Sequence, residues 1–158
     1  MIWSKDIPLT IMQGYSTILS EAWNSGHFDD LQRCPTHVFL QVGVGTFSGG
    51  MTGFLINKMA ELGTEIKIVT VEPRGAHCVF NSHRVGDGQL HEMEGDLVTI
   101  MAGLNCGVPS GLGWPILKST AFAFMSCVDE VTKHGMRLYY YPITGKITCL
   151  INQLGERR

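Results

Sequence analysis

The chain has no apolar run that approaches the length of about 18 residues needed to span a membrane, and no charged-then-apolar signal pattern follows Met1. It also has no basic cluster: the net charge is −2, and Lys and Arg are scattered along the sequence. A protein without a positive field is a poor partner for nucleic acid. We therefore expect a cytoplasmic protein that binds neither membranes nor nucleic acid.

Cysteine and histidine occur in a pattern that suits neither disulfides nor zinc. The chain has five cysteines at irregular spacings, which argues against a disulfide framework and favours reduced thiols. His77, Cys78, His83 and His91 lie close together in the sequence, but their spacings match no tetrahedral zinc pattern. We therefore predict that the protein has no metal site.

The sequence has no internal repeat or low-complexity linker that would divide it. Its 158 residues are 44% apolar and 16% charged. A chain of this length buries roughly 70% of its unfolded surface on folding, which is enough for a real core. We expect one domain over residues 1–158.

The most informative feature that is present is the segment HVFLQVGVGTFSGG at residues 37–50. Branched and aromatic residues at its start predict a buried strand, and apolar residues at helical spacing after it predict a helix. Between them lies a glycine turn, residues 43–49, in which Gly43, Gly45 and Gly49 let the backbone approach a ligand. Because the first N–H groups of a helix are unpaired, the turn predicts an anion site. The alternative is a tight connection that binds nothing.

The glycine turn does not fit either common nucleotide motif. The Gly-Lys-Ser/Thr ending of a P-loop is absent, and the GxGxxxG spacing from Gly43 to Gly49 departs from the dinucleotide pattern GxGxxG. Glu72 does stand about where a ribose-binding acid could follow the next strand. A phosphorylated cofactor is the interpretation that we favour.

The rest of the pattern predicts further elements. A helix is expected over residues 9–23, and a second strand over residues 65–71. Strand, helix and strand in this order predict a parallel crossover with ligands at the carboxyl ends of the strands, where Gly43 and Glu72 lie. Downstream we expect a short helix over residues 77–84, a loop over 102–115, a buried helix over 116–124 and another helix over 129–135.

Several longer segments carry a family resemblance. They are TIMQGYSTILSEAW (10–23), PTHVFLQVGVGTFSGGMTGFL (35–55), IVTVEPRGAHCVFNS (68–82), GDLVTIMAGLNCGVPSGLGWPIL (95–117) and FMSCVDEVTKHGMRL (124–138). Together they resemble the diaminopropionate ammonia-lyases, which are pyridoxal-phosphate enzymes of fold type II. The segment at 95–117 looks most diagnostic, because TIMAGL-x-CG-x-P and the later GW are not shared by fold type II enzymes at large.

The resemblance implies an α/β fold: a three-layer, Rossmann-like parallel sheet flanked by helices, part of a large domain similar to that of the tryptophan synthase β chain. It implies pyridoxal 5′-phosphate as cofactor, a small amino-acid substrate, a homo-oligomer such as a dimer, and a role in amino-acid catabolism. The implied reaction is elimination of 2,3-diaminopropionate to pyruvate and ammonia. The implied cofactor-binding residues are Gly43, Val44, Gly45, Thr46, Phe47, Ser48, Glu72 and Gly103.

Individual residues have competing interpretations. Thr46 and Ser48 can add hydroxyl donors to the glycine turn. Glu72 is as well explained by a helix cap or a surface acid as by a place near the cofactor. Gly103 and Cys106 would shape the pocket wall, although Cys106 is better explained as a small buried apolar residue. Trp114 is expected to pack in the core.

The resemblance also indicates what this chain lacks. In the family the lysine that forms the Schiff base and the acidic proton-transfer residues lie in an upstream part, and no lysine here stands in that context. Lys58, Lys67 and Lys118 are expected to be solvated surface residues. Residues 143–158 diverge from the family, so we expect a partial cofactor-binding domain that is inactive alone, and we assign no catalytic residue. The alternative is a non-catalytic phosphate-binding or interaction module with uncovered apolar surface.

Overall fold

The computed structural model describes residues 6–27 and 34–140, which form three strands with helices before, between and after them. Helix α1 spans Asp6–Ala22 and strand β1 spans His37–Gln41. The following elements are α2 (Thr46–Glu61), β2 (Lys67–Pro73), α3 (Cys78–Val85), a 3₁₀ turn (Ala102–Leu104), α4 (Gly113–Thr120), β3 (Ala121–Cys127) and α5 (Asp129–Tyr140). The predicted helices at 9–23 and 77–84 and the strand at 65–71 are confirmed within a few residues.

The three strands form a parallel sheet in the order β1-β2-β3. Gln41 lies opposite Val71 at the end of the first ladder, and Glu72 lies opposite Ser126 in the second. The predicted strand, helix, strand unit is therefore parallel, and the sheet is flanked by helices as expected. All three strands end at the same edge, which we call the carboxyl edge.

Two apolar clusters hold the helices on the sheet. The first joins α2 to β1 and β2 and consists of Leu40, Met51, Leu55 and Ile68. The second lies at the carboxyl edge, joins α3 and α4 to the end of β1, and consists of Val42, Cys78, Val79, Trp114 and Leu117. Removal of this surface from water stabilises the fold, and the second cluster lies where the glycine turn begins.

The predicted buried helix over residues 116–124 is correct for residues 116–120 and wrong from Ala121 onward. Helix α4 ends at Thr120, and the residues from Ala121 onward pair with β2 as strand β3. A short apolar run reads equally well as a buried helix or a parallel strand, and only pairing with a neighbour decides between them. The predicted loop over 102–115 is correct except at its end, because α4 already begins at Gly113.

The predicted end of the last helix at Gly135 is also wrong. Helix α5 continues through this residue to Tyr140, and Gly135 does not have a positive φ. Glycine inside a helix costs only about 1 kcal/mol relative to alanine, so it weakens a helix without ending it. The tail at 143–158 lies outside the described residues.

Apolar side chains remain exposed on both outer strands. Phe39 of β1 is 63% exposed and Phe122 of β3 is 61% exposed. Open strands and uncovered aromatic rings are the surface expected of a domain that associates with another polypeptide. Among the helices of the described residues, none has the length and hydropathy required to cross a membrane.

Candidate functional site

A groove of about 400 Å³ opens at the carboxyl edge of the sheet. Its wall consists of residues from α1, the glycine turn and the loop before α4: Tyr15, Gln41, Gly43, Val44, Gly45, Thr46, Phe47, Gly103, Leu104 and Cys106. None of these residues is acidic, so none of them sets a carboxylate against an anion. Its size lies in the range of small-molecule sites.

The floor of the groove is the start of α2. Gly45 caps this helix in the left-handed conformation, with φ 97° and ψ 0°, which favours glycine. The first bond of the helix runs from the Gly49 N–H to the Gly45 carbonyl, at 2.9 Å. The N–H groups of Gly45, Thr46 and Phe47 therefore have no partner inside the helix, and they lie at the positive end of its dipole.

Gly43 is confined between two thiols. A Cβ built on this residue would lie 3.2 Å from the Sγ of Cys106 and 3.4 Å from the carbonyl oxygen of Gly103. The Cys78 thiol donates to the Gly43 carbonyl at 3.6 Å. Burial, as the largest cause, raises the pKa of Cys78 to about 12, so this thiol keeps its proton and remains a donor. The structure places Gly103 and Cys106 in the groove wall. Cys106 is only partly buried, so its interpretation as a small buried apolar residue is wrong.

Tyr15, Gln41 and Leu104 line the groove but were not singled out from the sequence. The Tyr15 ring meets the Phe47 ring edge to face, with centroids 5.2 Å apart. No local motif marks Tyr15, because it lies on α1, about 30 residues before the glycine turn, and reaches the groove only because α1 packs on α2. Gln41 had a signal: it is a polar residue at the carboxyl end of an apolar strand.

The two hydroxyl residues of the glycine turn differ in position. Thr46 lines the groove. Ser48 is fully buried, and its hydroxyl donates to the Gln41 carbonyl at 2.8 Å. The Ser48 side chain therefore binds the end of β1 instead of facing a ligand, and only its backbone N–H belongs to the first turn of the helix.

Glu72 lies behind the groove wall and does not line it. Its carboxylate is fully buried and accepts hydrogen bonds from the backbone N–H groups of Val79, at 2.9 Å, and Phe80, at 2.6 Å. These groups belong to the first turn of α3, whose cap residue His77 makes no capping bond with its own side chain. Glu72 therefore acts as a helix cap supplied by β2, and the surface-acid interpretation is wrong. Desolvation raises its pKa to about 7, although the two N–H bonds oppose this shift.

The histidines near α3 are dispersed. His77 Nδ1 lies 2.7 Å from the Arg74 carbonyl, and the His83 ring stacks on Phe124. His91 contacts the Asp87 carboxylate at 2.9 Å. In residues 6–27 and 34–140, no group of three or more His, Cys, Asp or Glu side chains could hold a metal ion.

Among the groove-lining residues that the structure describes, none is a lysine. Lys67 opens β2 as predicted, at the opposite end of the sheet, where its Nζ lies 4.7 Å from the centre of the Phe122 ring. Lys58 and Lys118 lie on α2 and α4, as expected. Trp114 is buried in the second cluster, and its Nε1 donates to the Gly88 carbonyl at 3.1 Å. Its packing role is thus confirmed.

Relatives with known activity match most of the chain. Diaminopropionate ammonia-lyase of Salmonella typhimurium is 40% identical over 148 residues, which are 94% of this chain and 36% of that protein. A crystal structure of the Escherichia coli diaminopropionate ammonia-lyase, in complex with an aminoacrylate-PLP azomethine reaction intermediate, superposes with a TM-score of 0.72. It is 38% identical and covers 89% of this chain and 33% of that one. Maize serine racemase, at 19% identity and a TM-score of 0.66, shares the fold alone.

The chain spans about a third of the length of the relatives it matches. The family model for pyridoxal-phosphate dependent enzymes matches residues 6–142, which include the glycine turn, the groove and all three strands. The chain therefore belongs to the family of pyridoxal-phosphate dependent enzymes.

Proposed function

We propose that this chain forms the phosphate-binding part of a pyridoxal-phosphate-dependent diaminopropionate ammonia-lyase. The observation that carries the proposal is the start of α2, where the N–H groups of Gly45, Thr46 and Phe47 lie at a groove whose described wall contains no acidic residue. A phosphate ester carries a charge of about −1.5 to −2 and is the ligand that such a helix start binds. The family match and the two ammonia-lyase relatives support the choice of cofactor.

The groove residues fit pyridoxal 5′-phosphate. The backbone N–H groups of Val44, Gly45, Thr46 and Phe47, with the Thr46 hydroxyl, would hold the phosphate. Cys106 lies so close to Gly43 that a side chain added at position 43 would narrow the groove. When bound, the cofactor supplies an electron sink for loss of the β-amino group from 2,3-diaminopropionate.

This chain's own residues would bind and orient the cofactor and keep water from its phosphate. Of the residues implied by the resemblance, Gly43, Val44, Gly45, Thr46, Phe47 and Gly103 line the groove. Ser48 would contribute only through its N–H, and Glu72 only through another element. We assign no catalytic residue within the groove wall.

A second candidate is a phosphate-binding module without catalysis. The observation in its favour is that the described residues of the groove wall include no lysine, so none of them offers an amine to the cofactor aldehyde. The two candidates share the phosphate site and differ in whether the chain works with catalytic groups from elsewhere.

We further propose that the chain is cytoplasmic, takes part in amino-acid catabolism and forms a homo-oligomer such as a dimer. The exposed Phe39 and Phe122 on the outer strands support self-association. The free thiols of Cys78, Cys106 and Cys127 are consistent with a reducing compartment.

The test is a titration of the purified chain with pyridoxal 5′-phosphate, followed between about 380 and 430 nm, where a covalent adduct of the aldehyde differs from the free aldehyde. Borohydride reduction and peptide mapping then identify any labelled lysine. Inorganic phosphate should compete, and Gly43→Val should abolish binding. Gly53→Ala, in the same region but with no atom within 4 Å of the added Cβ, should not change it.

Reversible binding without a labelled lysine supports the phosphate site. A single labelled lysine would contradict the claim that the chain lacks a covalent anchor. Absence of binding would overturn the proposed function. Pyruvate formation from 2,3-diaminopropionate, measured in the same samples, separates an active enzyme from a binding module.

A further inference from the structure

Glu72 is a buried carboxylate that the proposed binding of phosphate does not use directly. It lies on the central strand β2, with its side chain fully buried, and both of its oxygens accept backbone N–H groups from α3. A carboxylate at this position satisfies two of the unpaired donors of a helix start and complements its dipole. Glu72 therefore fixes where α3 begins relative to the sheet.

The start of α3 in turn touches the glycine turn at two points. The thiol of Cys78 donates to the Gly43 carbonyl at 3.6 Å. A Cβ built on Gly45 would lie 3.5 Å from Cγ2 of Val79, so that side chain packs directly under the left-handed cap of α2. Val79 thus combines two contacts: its N–H binds Glu72, and its side chain supports Gly45.

We propose that Glu72 is a positioning residue for the phosphate site, acting through the first turn of α3 on Gly43 and Gly45. This inference rests on the proposed function. The physical reason is geometric: N–H donors bind an anion well only when the backbone holds them at the right distance and angle. Loss of the carboxylate would let the start of α3 shift, and the turn that rests on it would lose its fixed geometry.

Two hydrogen bonds report the position of the turn without any ligand. The Ser110 N–H donates to the Val44 carbonyl at 2.6 Å, and the Gly49 N–H donates to the Gly45 carbonyl at 2.9 Å. Faster hydrogen exchange at these two amides would show that the turn has loosened. The amides of Val79 and Phe80 report the Glu72 contact itself.

The experiment compares Glu72→Gln, Val79→Ala and the double variant in the full chain at about pH 8, where Glu72 is ionised. Ile68→Val is the control, because Ile68 is fully buried in the other cluster, between α2 and the sheet. We expect Glu72→Gln to weaken the affinity for pyridoxal 5′-phosphate and for inorganic phosphate about tenfold, as removal of an outer partner does at metal sites. Ile68→Val should lower the melting temperature and leave both affinities nearly unchanged.

The double variant tests the route of the effect. If Glu72 acts through Val79, the double variant should bind pyridoxal 5′-phosphate with the same affinity as the single variant that binds it less tightly. The second substitution would then have no further contact to disrupt. Affinities that multiply would overturn the proposal, and so would an unchanged or increased affinity of Glu72→Gln. If Glu72→Gln does not fold, Glu72→Asp, which retains a shorter carboxylate, takes its place.

The failure of the two proposals can be distinguished. If the unmodified chain binds neither probe, the proposed function fails, and hydrogen exchange alone decides the role of Glu72. Faster exchange of the Gly49 and Ser110 amides in Glu72→Gln, with no change in Ile68→Val, supports positioning. Equal exchange rates in the two variants overturn it.

Discussion

Gly113, the first residue of α4, lies directly against the backbone of Gly45. A Cβ built on Gly113 would overlap the Gly45 carbonyl oxygen and would lie 3.2 Å from the backbone nitrogen of Thr46. The contact continues one turn further along α2, where a Cβ on Gly49 would lie 2.9 Å from the Gly113 Cα. The close approach of α4 therefore closes the back of the glycine turn and makes a side chain at position 113 incompatible with it.

Gly113→Ala should destabilise the protein and weaken cofactor binding together. Because the obstacle is backbone, the added methyl group must push α4 away from the turn, which we expect to cost about 2 kcal/mol or more in free energy of unfolding. Urea unfolding and titration with pyridoxal 5′-phosphate measure the two effects. Gly111→Ala, at a glycine with open space around it, is the control, and equal stability of the two variants would contradict the argument.

Gly43→Ala should reduce the affinity for pyridoxal 5′-phosphate about tenfold, or about 1.4 kcal/mol. Its Cβ would press on the Cys106 Sγ at 3.2 Å, which moves the groove wall. Because this obstacle is a side-chain tip, Cys106→Ala should restore much of the lost affinity. Cys106→Ala alone is the matched control. If the double variant binds as weakly as Gly43→Ala, the thiol contact is not the cause.

Stability should fall as the pH rises from about 4.5 to about 7, in part because of Glu72. The folded state holds the proton of this carboxyl to about pH 7, whereas its ordinary pKa is 4.5. Between about pH 4.5 and 7, the folded chain therefore binds more protons than the unfolded chain. The resulting stabilisation is complete below about pH 4.5 and is lost above about pH 7. The loss is on the order of 3 kcal/mol, from 1.36 kcal/mol per pH unit.

The difference between the unmodified chain and Glu72→Gln isolates this contribution. Urea unfolding between about pH 4.5 and 8 should show the variant gaining stability relative to the unmodified chain as the pH rises. Ile68→Val, which removes no titratable group, should show no such trend. A constant difference for Glu72→Gln would mean that the carboxyl titrates normally in the fold.

Asp129 should fix the position of the loop before α4, which contributes Gly103, Leu104 and Cys106 to the groove wall. Its carboxylate accepts hydrogen bonds from the Thr99 hydroxyl at 2.6 Å and from the Ile100 N–H at 3.0 Å, and these lower its pKa. Asp129→Asn should speed hydrogen exchange at Ile100 and weaken cofactor binding. A group with a lowered pKa contributes above its unfolded value and ceases to do so as the pH falls through the folded one, so the difference should vanish in acid.

Glu130→Gln is the matched control for Asp129→Asn. Glu130 is the next residue on α5 and pairs only at the surface in the described structure, with Lys133 at 2.8 Å. Its substitution should alter neither the exchange rate at Ile100 nor the affinity for pyridoxal 5′-phosphate. If the two substitutions had equal effects, the cause would be a general loosening of α5 and not the loss of the Asp129 contacts.

Local patterns in the sequence were sufficient to predict β1, the glycine turn, α2 and β2, because strand and helix periodicities meet there at glycines. They also predicted an anion site at the glycine turn, residues 43–49, of which Gly43 to Phe47 line one groove. They failed at residues 121–124, where the apolar run Ala121–Cys127 pairs with β2 as a strand. Polar and apolar residues do not alternate along that run, so no pattern of period two marks it as a strand.

The sequence by itself determined the parallel strand, turn and helix unit and the family, since these depend on residues close together along the chain. The tertiary structure alone decided that Tyr15, Leu104 and Gly113 surround the turn, and that Glu72 caps α3 behind the groove wall. Contacts between distant segments depend on how helices and loops pack on the sheet, and no local spacing encodes them. The composition of the groove is therefore a product of packing, whereas the backbone donors that we propose for phosphate binding come from one short stretch of sequence.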